Sequence, residues 1–396
     1  MIRIGVGASQ HRSTEQAAAE AATRAMLQAS LGQVDLVLVF ATISHAPHYS
    51  LMLNTLAKIT KTSQIVGCSG MGTLTLEGEV EAAPSVAVLV LSSDSIRATP
   101  FIFQELRDRN EAIGQELGRL AVSQRRSSSD AILILLFPDT FFFQQRPFFQ
   151  GFQKVAGFLP IIGGGASEDG TRMRTFQMHG ERTDSNALTG VILTGRFQYT
   201  QGLAQACQPT GHSLLITKAH RNVILELGGR PAMEVYIDLL KEHNIDDLQM
   251  AAGRIFLGLP IDPRQAQLAG GDYLVRNISG IDPENGALHI SEEITEGQAV
   301  TFTLREPNHA KRDTEDVVAD LVRIHQGVTP KAALYFNCCG RGSPLYGEKD
   351  VDVAILRKAF PDLPLIGFFT YSEFAPLHGM NLFHNYTGAL TLISEP

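Results

Sequence analysis

Three stretches of this chain follow one plan, and that recurrence constrains the fold more than any other feature. An apolar run ends in Phe three times, as Val37-Leu38-Val39-Phe40, Ile134-Leu135-Leu136-Phe137 and Ala333-Leu334-Tyr335-Phe336. Each is followed, after 27, 26 and 31 residues, by a Gly behind apolar residues: Ile65-Val66-Gly67, Ile161-Ile162-Gly163 and Leu365-Ile366-Gly367. A polar loop comes next, and apolar runs at 86–91, 189–194 and 387–392 close the units. Intervals of this size hold a crossover helix between two parallel strands. Nearly continuous apolar runs suit strands covered on both faces. The expected fold is α/β with mixed α+β character, built from repeated β-α-β-β units with mixed sheets. Three matches with related closing strands point to a duplication.

Between the second and third stretches the texture changes. Short alternating runs such as Val223-Ile224-Leu225-Glu226-Leu227 and Val300-Thr301-Phe302-Thr303-Leu304 are separated by turns like Ile281-Asp282-Pro283-Glu284-Asn285-Gly286. This reads as a β-rich insertion with one helix starting near Pro231. The expected layout is two units at about 1–95 and 123–200, a β-rich part at about 201–309 and a third unit at about 310–396. In the first unit, Ser13-Thr14-Glu15-Gln16 has the pattern of a capping box. Behind it, Ala18, Ala21, Ala22, Ala25 and Ala29 form a small-residue stripe that lets a helix approach a sheet closely. Residues 313–326 read as another helix, with Val317, Val318, Leu321 and Val322 at helical spacing.

Composition removes several classes of function. Net charge is −8 over 396 residues, and no basic patch interrupts the sequence, so neither a nucleic-acid partner nor an anionic membrane surface is expected. No apolar run approaches the roughly 18 residues needed to insert into a bilayer. The N-terminus enters a strand-like run at once, without the apolar segment of a signal peptide. Only four Cys occur, without a CxxC pair, which fits a reducing compartment and a cytoplasmic location. No cofactor and no metal site is expected.

Several motifs resemble one known family. Ile65-Val66-Gly67-Cys68-Ser69 before a Gly-rich hairpin is similar to an element of FIST N domains, and Pro160-Ile161-Ile162-Gly163-Gly164-Gly165-Ala166 to a second. Glu226-Leu227-Gly228-Gly229-Arg230-Pro231-Ala232 resembles the family's turn into a helix. Phe336-Asn337-Cys338-Cys339-Gly340-Arg341-Gly342 and the run from Gly367 through Tyr371-Ser372-Glu373 to Pro376 resemble the paired motifs of FIST C domains. The likeness covers nearly the whole chain, as a FIST N-like region at 1–200 and a FIST C-like region at 201–396. The sequence departs from it at Met71-Gly72-Thr73, which lacks an acidic residue, and at Ser372, where the family carries Gly. The resemblance implies a sensory protein of intracellular signal transduction that binds a small ligand, amino acids or related carboxylates among the candidates. No residues are left for a fused output domain, so the expected partner is a separate signalling protein.

The candidate ligand-binding residues lie at strand ends, where ligands gather in open parallel sheets. Arg341 is suited to clamp a carboxylate, Glu373 to accept an ammonium group, and Tyr371, Cys338 and Asn337 to line the same pocket. The plain alternative for Arg341 is a structural salt bridge, with Glu373 as the expected partner. Cys68 and Ser69 occupy the corresponding place in the first unit. Gly163 and Gly164 are either an anion cradle or a tight turn. His45, in His45-Ala46-Pro47-His48-Tyr49, reads as pocket lining or as part of a solvated loop. Phe141, Phe142, Phe143, Phe148, Phe149 and Phe152 read as core beneath a helix or as an aromatic wall. Two other roles compete with sensing: an interaction scaffold using the Phe-rich segment, and an enzyme using Cys338 and Glu373.

Overall fold

Each recurring stretch forms a mixed sheet with helices against one face. The computed structural model describes residues 1–211, 213–262 and 273–396. The first stretch runs β1 (Ile2–Ser9), α1 (Thr14–Ala29), β2 (Leu36–Thr42), a 3-10 turn at Ile43–His48 and α2 (Tyr49–Thr60). It continues with β3 (Ile65–Gly70), a hairpin of β4 (Gly72–Thr75) and β5 (Gly78–Glu81), and β6 (Val86–Ser93). The second has β7 (Ile96–Gln104), α3 (Leu106–Gln124), β8 (Ala131–Pro138), α4 (Gln145–Ala156) and β9 (Ile161–Gly164). It ends with the hairpin β10 (Gln177–His179) and β11 (Arg182–Asp184), then β12 (Ala187–Gly195). The second stretch thus begins at β7, before residue 123, where the second unit is expected to begin.

The third stretch opens with β13 (Gln198–Gln205), and the insertion follows that strand. The insertion contains β14 (Cys207–Pro209), β15 (Leu214–His220), β16 (Val223–Leu227), β17 (Arg230–Pro231), α5 (Ala232–Glu242) and α6 (Leu248–Ala252). After these come β18 (Ile255–Pro260), β19 (Tyr273–Arg276), β20 (Ile278–Asp282), β21 (Ala287–Ile290) and β22 (Ala299–Arg305). The third stretch resumes as α7 (Pro307–Ile324), β23 (Ala332–Cys338), α8 (Ser343–Tyr346), α9 (Val351–Ala359) and β24 (Leu365–Thr370). The hairpin β25 (Glu373–Leu377) and β26 (Met380–His384) precedes β27 (Thr387–Ser394). One compact body consists of residues 1–204, 314–383 and 387–396, and the other of 205–313 with 384–386. The second body is β-rich as expected, with Tyr236, Leu257, Ile290 and Phe302 buried in its core.

The three sheets of the larger body share one wiring. Their orders are β1-β6-β2-β3-β10-β11, β7-β12-β8-β9-β25-β26 and β13-β27-β23-β24-β4-β5. In each, two central strands are parallel and the last two places belong to a hairpin from a different stretch. The first stretch's hairpin completes the third sheet, with Thr75 opposite Ile366. The second completes the first, with Met178 opposite Gly67, and the third completes the second, with Phe374 opposite Gly163.

Strand periodicity explains the continuous apolar runs. Leu36, Leu38 and Phe40 on β2, Leu133, Leu135 and Phe137 on β8, and Leu334 and Phe336 on β23 all enter one shared core. The alternate residues face helices: Val37 and Val39 meet α1 and α2, while Ile134 and Leu136 meet α3 and α4. The recurring Gly has a steric cause. A Cβ at Gly67, Gly163 or Gly367 would lie 1.7, 2.2 or 1.7 Å from the carbonyl oxygen of Val39, Leu136 or Tyr335 on the neighbouring strand. The Ala stripe of α1 rests on β1 for a similar reason, since a Cβ at Gly5 would lie 2.1 Å from the Ala25 carbonyl oxygen. Ser13 occupies the N-cap of α1 but makes no side-chain cap bond, so the expected capping box does not form. The adjacent Thr14 hydroxyl is engaged instead with His45 Nδ1 at 2.9 Å.

Candidate functional site

The shared core ends in an aromatic plug. Phe40, Phe137 and Phe336, the last aromatic residue of each first central strand, have ring centroids 5.2, 5.8 and 6.2 Å apart. Phe368 stacks on Phe40 at 4.5 Å. Edge-to-face and offset contacts of this kind add to area burial. Beyond the plug, the loops from the three second central strands are tied directly together. The Ser167 amide donates to the Ser69 carbonyl at 3.1 Å, and Ser69 Oγ donates to the Ser167 carbonyl at 3.1 Å. Ser167 Oγ accepts from the Met71 amide at 2.8 Å and donates to the Phe369 carbonyl. The Gly165 amide donates to the Ser372 carbonyl at 2.8 Å, and the Tyr371 amide to the Gly165 carbonyl at 3.1 Å. The sequence-selected strand ends therefore do converge, but as a hydrogen-bonded junction.

Arg341 and Glu373 do not form the expected pair. The Arg341 guanidinium is fully buried and binds Asp352 in a fork, Nε to Oδ2 at 3.1 Å and Nη2 to Oδ1 at 3.0 Å. Nη2 also donates to Thr314 Oγ1 at 2.8 Å and the Tyr346 hydroxyl at 2.9 Å, and Asn337 Nδ2 donates to Asp352 Oδ2 at 3.0 Å. Burial opposes both charges, but each holds the other ionised: Arg341 is pushed above its ordinary range and Asp352 below its own. Buried polar atoms remain without a partner here: Arg341 Nη1, Asn337 Oδ1 and the Tyr335 hydroxyl.

Glu373 is equally buried in a separate setting. Thr370 Oγ1 donates to its Oε1 at 2.5 Å, while the Thr387 amide and hydroxyl donate to Oε2 at 3.2 and 2.7 Å. Burial, followed by the nearby Cys338, pushes the carboxyl well above the usual range despite these donors, which favours the neutral acid. Cys338 is 4% exposed. Cys68 is fully buried opposite Phe40, and burial pushes its thiol upward. Gly163 and Gly164 lie in β9 against the incoming β25, so their amides belong to a strand junction. His45 is buried on Thr14, and burial, then His48, lowers its pKa. His48 lies exposed at the end of a 3-10 turn, not in a loop. Tyr371 is the exposed member of the set, at 55%.

Sequence reasoning missed the acids that organise the third unit. Glu79 and Glu81 face inward from the β4–β5 hairpin. Glu79 accepts from the amides of Asp350 and Val353 at 3.2 and 3.1 Å, capping α9. Glu81 accepts from the Ser343 amide at 3.0 Å and hydroxyl at 2.7 Å, at the start of α8. Burial, with Asp352 next, pushes Glu79 up to about 7. The available signal was Gly78-Glu79-Val80-Glu81, whose period of two puts both acids on one strand face. Asp352 carried a similar clue, as one charge between Val351 and Val353 at the start of a helix.

None of the sequence-selected residues lines a cleft of about 830 Å³ bordered by Ile102, Phe103, Glu105, Arg109, His179 and the hairpin tip at Glu181 and Arg182. Burial lowers the pKa of His179, partly offset by its bond to the Pro100 backbone.

Comparison with known proteins agrees with the motifs. The model of the FIST N domain matches residues 35–230, and that of the FIST C domain matches 232–376. The chain is 28% identical over 394 residues to uncharacterized protein Rv0628c of Mycobacterium tuberculosis, covering 100% of each. It is 26% identical over 401 residues to uncharacterized protein Mb0898c of Mycobacterium bovis, covering 100% of this chain and 99% of that protein. Among solved structures, a cyanuric acid hydrolase from A. caulinodans aligns with 49% of this chain and 71% of its own, with TM-score 0.28 and 12% identity. That likeness is too slight to bear on fold or chemistry.

Proposed function

Because the chain belongs to the FIST family and contains both its N and C domains, we propose that it is a small-ligand sensor that passes its occupancy to a separate signalling protein. FIST domains are associated with signal transduction and small-ligand sensing. Amino acids or related carboxylates are the proposed ligand class, and the cytoplasm, suggested by the scarcity of Cys, is the proposed location. One observation carries the reading in physical terms: Ser167 ties together loops from all three sheets through Ser69, Met71 and Phe369. A ligand that binds two arrangements of this junction unequally shifts their populations, whereas one that binds both equally shifts nothing. The similar wiring of the three sheets supports an origin by internal duplication.

Burial gives the enzymatic alternative no support, because neither Cys338 nor Glu373 is more than 4% exposed. The test is a thermal-shift screen of the full chain against amino acids, dicarboxylates and nucleotides. A concentration-dependent rise in Tm is expected for one class. A flat response to every compound overturns the sensor reading.

A further inference from the structure

We propose that the sensor's ligand site is the cleft between β7 and the β10–β11 hairpin, and that it takes a small zwitterion with an apolar body. The inference rests on the sensor reading and replaces the strand ends as the place of binding. At the strand ends, the candidate charges are already engaged: Arg341 with Asp352, and Glu373 with Thr370 and Thr387. Binding a ligand there would require breaking a buried ion pair or displacing a packed carboxyl, either of which is costly. The cleft differs in both respects. Its volume of about 830 Å³ falls within the range of small-molecule sites.

Its charges are also available. Arg109 is occupied by Glu116 and Glu105, and Asp184 accepts from Gln104 Nε2 at 3.2 Å. Among the described residues, exposed Arg182 and Glu181 make no ion pair, and both border the cleft. Together with Asp184, which also lines the cleft and whose partner Gln104 is neutral, they place one cation beside two anions, which suit the carboxylate and the ammonium of one ligand. A lone carboxylate would meet Glu181, and a lone ammonium would meet Arg182. Ile102 and Phe103, both half-buried, supply an apolar surface for the rest of the molecule. His179 adds no competing charge at neutral pH, since its burial favours the neutral ring.

A separate observation marks the same place. Glu105 has left-handed backbone geometry (φ 62°), and Arg109 interrupts α3 with non-helical angles (φ −128°, ψ 20°). Both line the cleft. Sparsely populated backbone conformations of this kind concentrate at ligand sites.

The experiment uses the full chain and three probes sharing a phenyl ring: L-phenylalanine, 3-phenylpropionate and 2-phenylethylamine. Affinities are read by ligand-observed NMR and the footprint by amide hydrogen exchange. The same NMR measurement covers the remaining L-amino acids and the dicarboxylates and nucleotides of the thermal screen. Zwitterions are expected to bind at least fivefold tighter than either singly charged analogue. Arg182→Gln and Glu181→Gln, both exposed and remote from the core, should each weaken zwitterion binding about fivefold or more. Protection should fall on residues 102–109 and 179–184. Equal affinities, a preference for a singly charged probe, or variants that bind like wild type overturn the proposal. Zwitterion protection confined to Ser69, Ser167 and Thr370 overturns the cleft assignment and leaves the sensor reading standing. No binding by any compound overturns both.

Discussion

Glu79 offers a test in which sign, size and pH window all follow from the structure. Its carboxyl is only 6% exposed and lies near Asp352, and these surroundings raise its pKa from the ordinary 4.5 to about 7. A group that binds its proton more tightly when folded adds stability that is complete below about pH 4.5. That contribution is lost as pH rises through about 7. At about 1.36 kcal/mol per pH unit, the loss across this window amounts to about 3 kcal/mol. Glu79→Gln removes the titration but also one of the two oxygens that accept from Asp350 and Val353. Losing that cap bond costs about 1 kcal/mol. The variant should therefore be less stable than wild type at pH 4.5 and more stable by about 2 kcal/mol at pH 8, with a crossing between. Urea unfolding of the larger body at half-unit pH steps measures this, and the difference between the two proteins cancels other titrating groups. A constant difference from pH 4.5 to 8 would refute the raised pKa and the burial argument behind it.

Three further outcomes are expected. Asp352→Ala leaves Arg341 charged and unpaired in the interior and should cost about 3–5 kcal/mol, while the joint Arg341→Met, Asp352→Leu variant should cost less than Asp352→Ala alone in the same urea assay. Phe40→Ala, Phe137→Ala and Phe336→Ala should each cost about 3–5 kcal/mol, and pairs should deviate from additivity because the rings touch; strict additivity would contradict the aromatic plug. Gly67→Ala should abolish soluble expression, because its Cβ would meet the Val39 carbonyl oxygen at 1.7 Å, whereas Gly32→Ala, with nothing within 4 Å, should change urea stability by less than about 0.5 kcal/mol.

The fold was largely legible because its strands alternate between two apolar environments. Leu38 and Phe40 face the shared core while Val37 and Val39 face helices, so apolar runs marked the central strands directly. The paired Phe and Gly recurred because a ring fills the core and a neighbouring carbonyl excludes any Cβ. Convergence of the loops after Gly67, Gly163 and Gly367 follows from their equivalent places at strand ends. The partners did not. The motif alone pairs Arg341 with Glu373, whereas its partner Asp352 sits in an intervening helix. The acids at Glu79 and Glu81 arrive from a hairpin more than 260 residues away in sequence. Local patterns carry no record of such long-range contacts. Arg182 and Glu181 look like ordinary surface residues in the sequence, and only the folded backbone brings them to one cleft with Phe103.

The circulating hairpins have a consequence for dividing this chain. The first stretch lends its hairpin to the third sheet, the third to the second, and the second to the first. The boundary between residues 230 and 232, where the two family matches meet, is thus a seam in sequence without a matching seam in the larger body. A fragment ending there keeps β9 but loses β25, and retains β4 after losing β24. Two unpaired strand edges are exposed at once. The N and C domains are better understood as parts of one closed relay, in which removing any member leaves another incomplete.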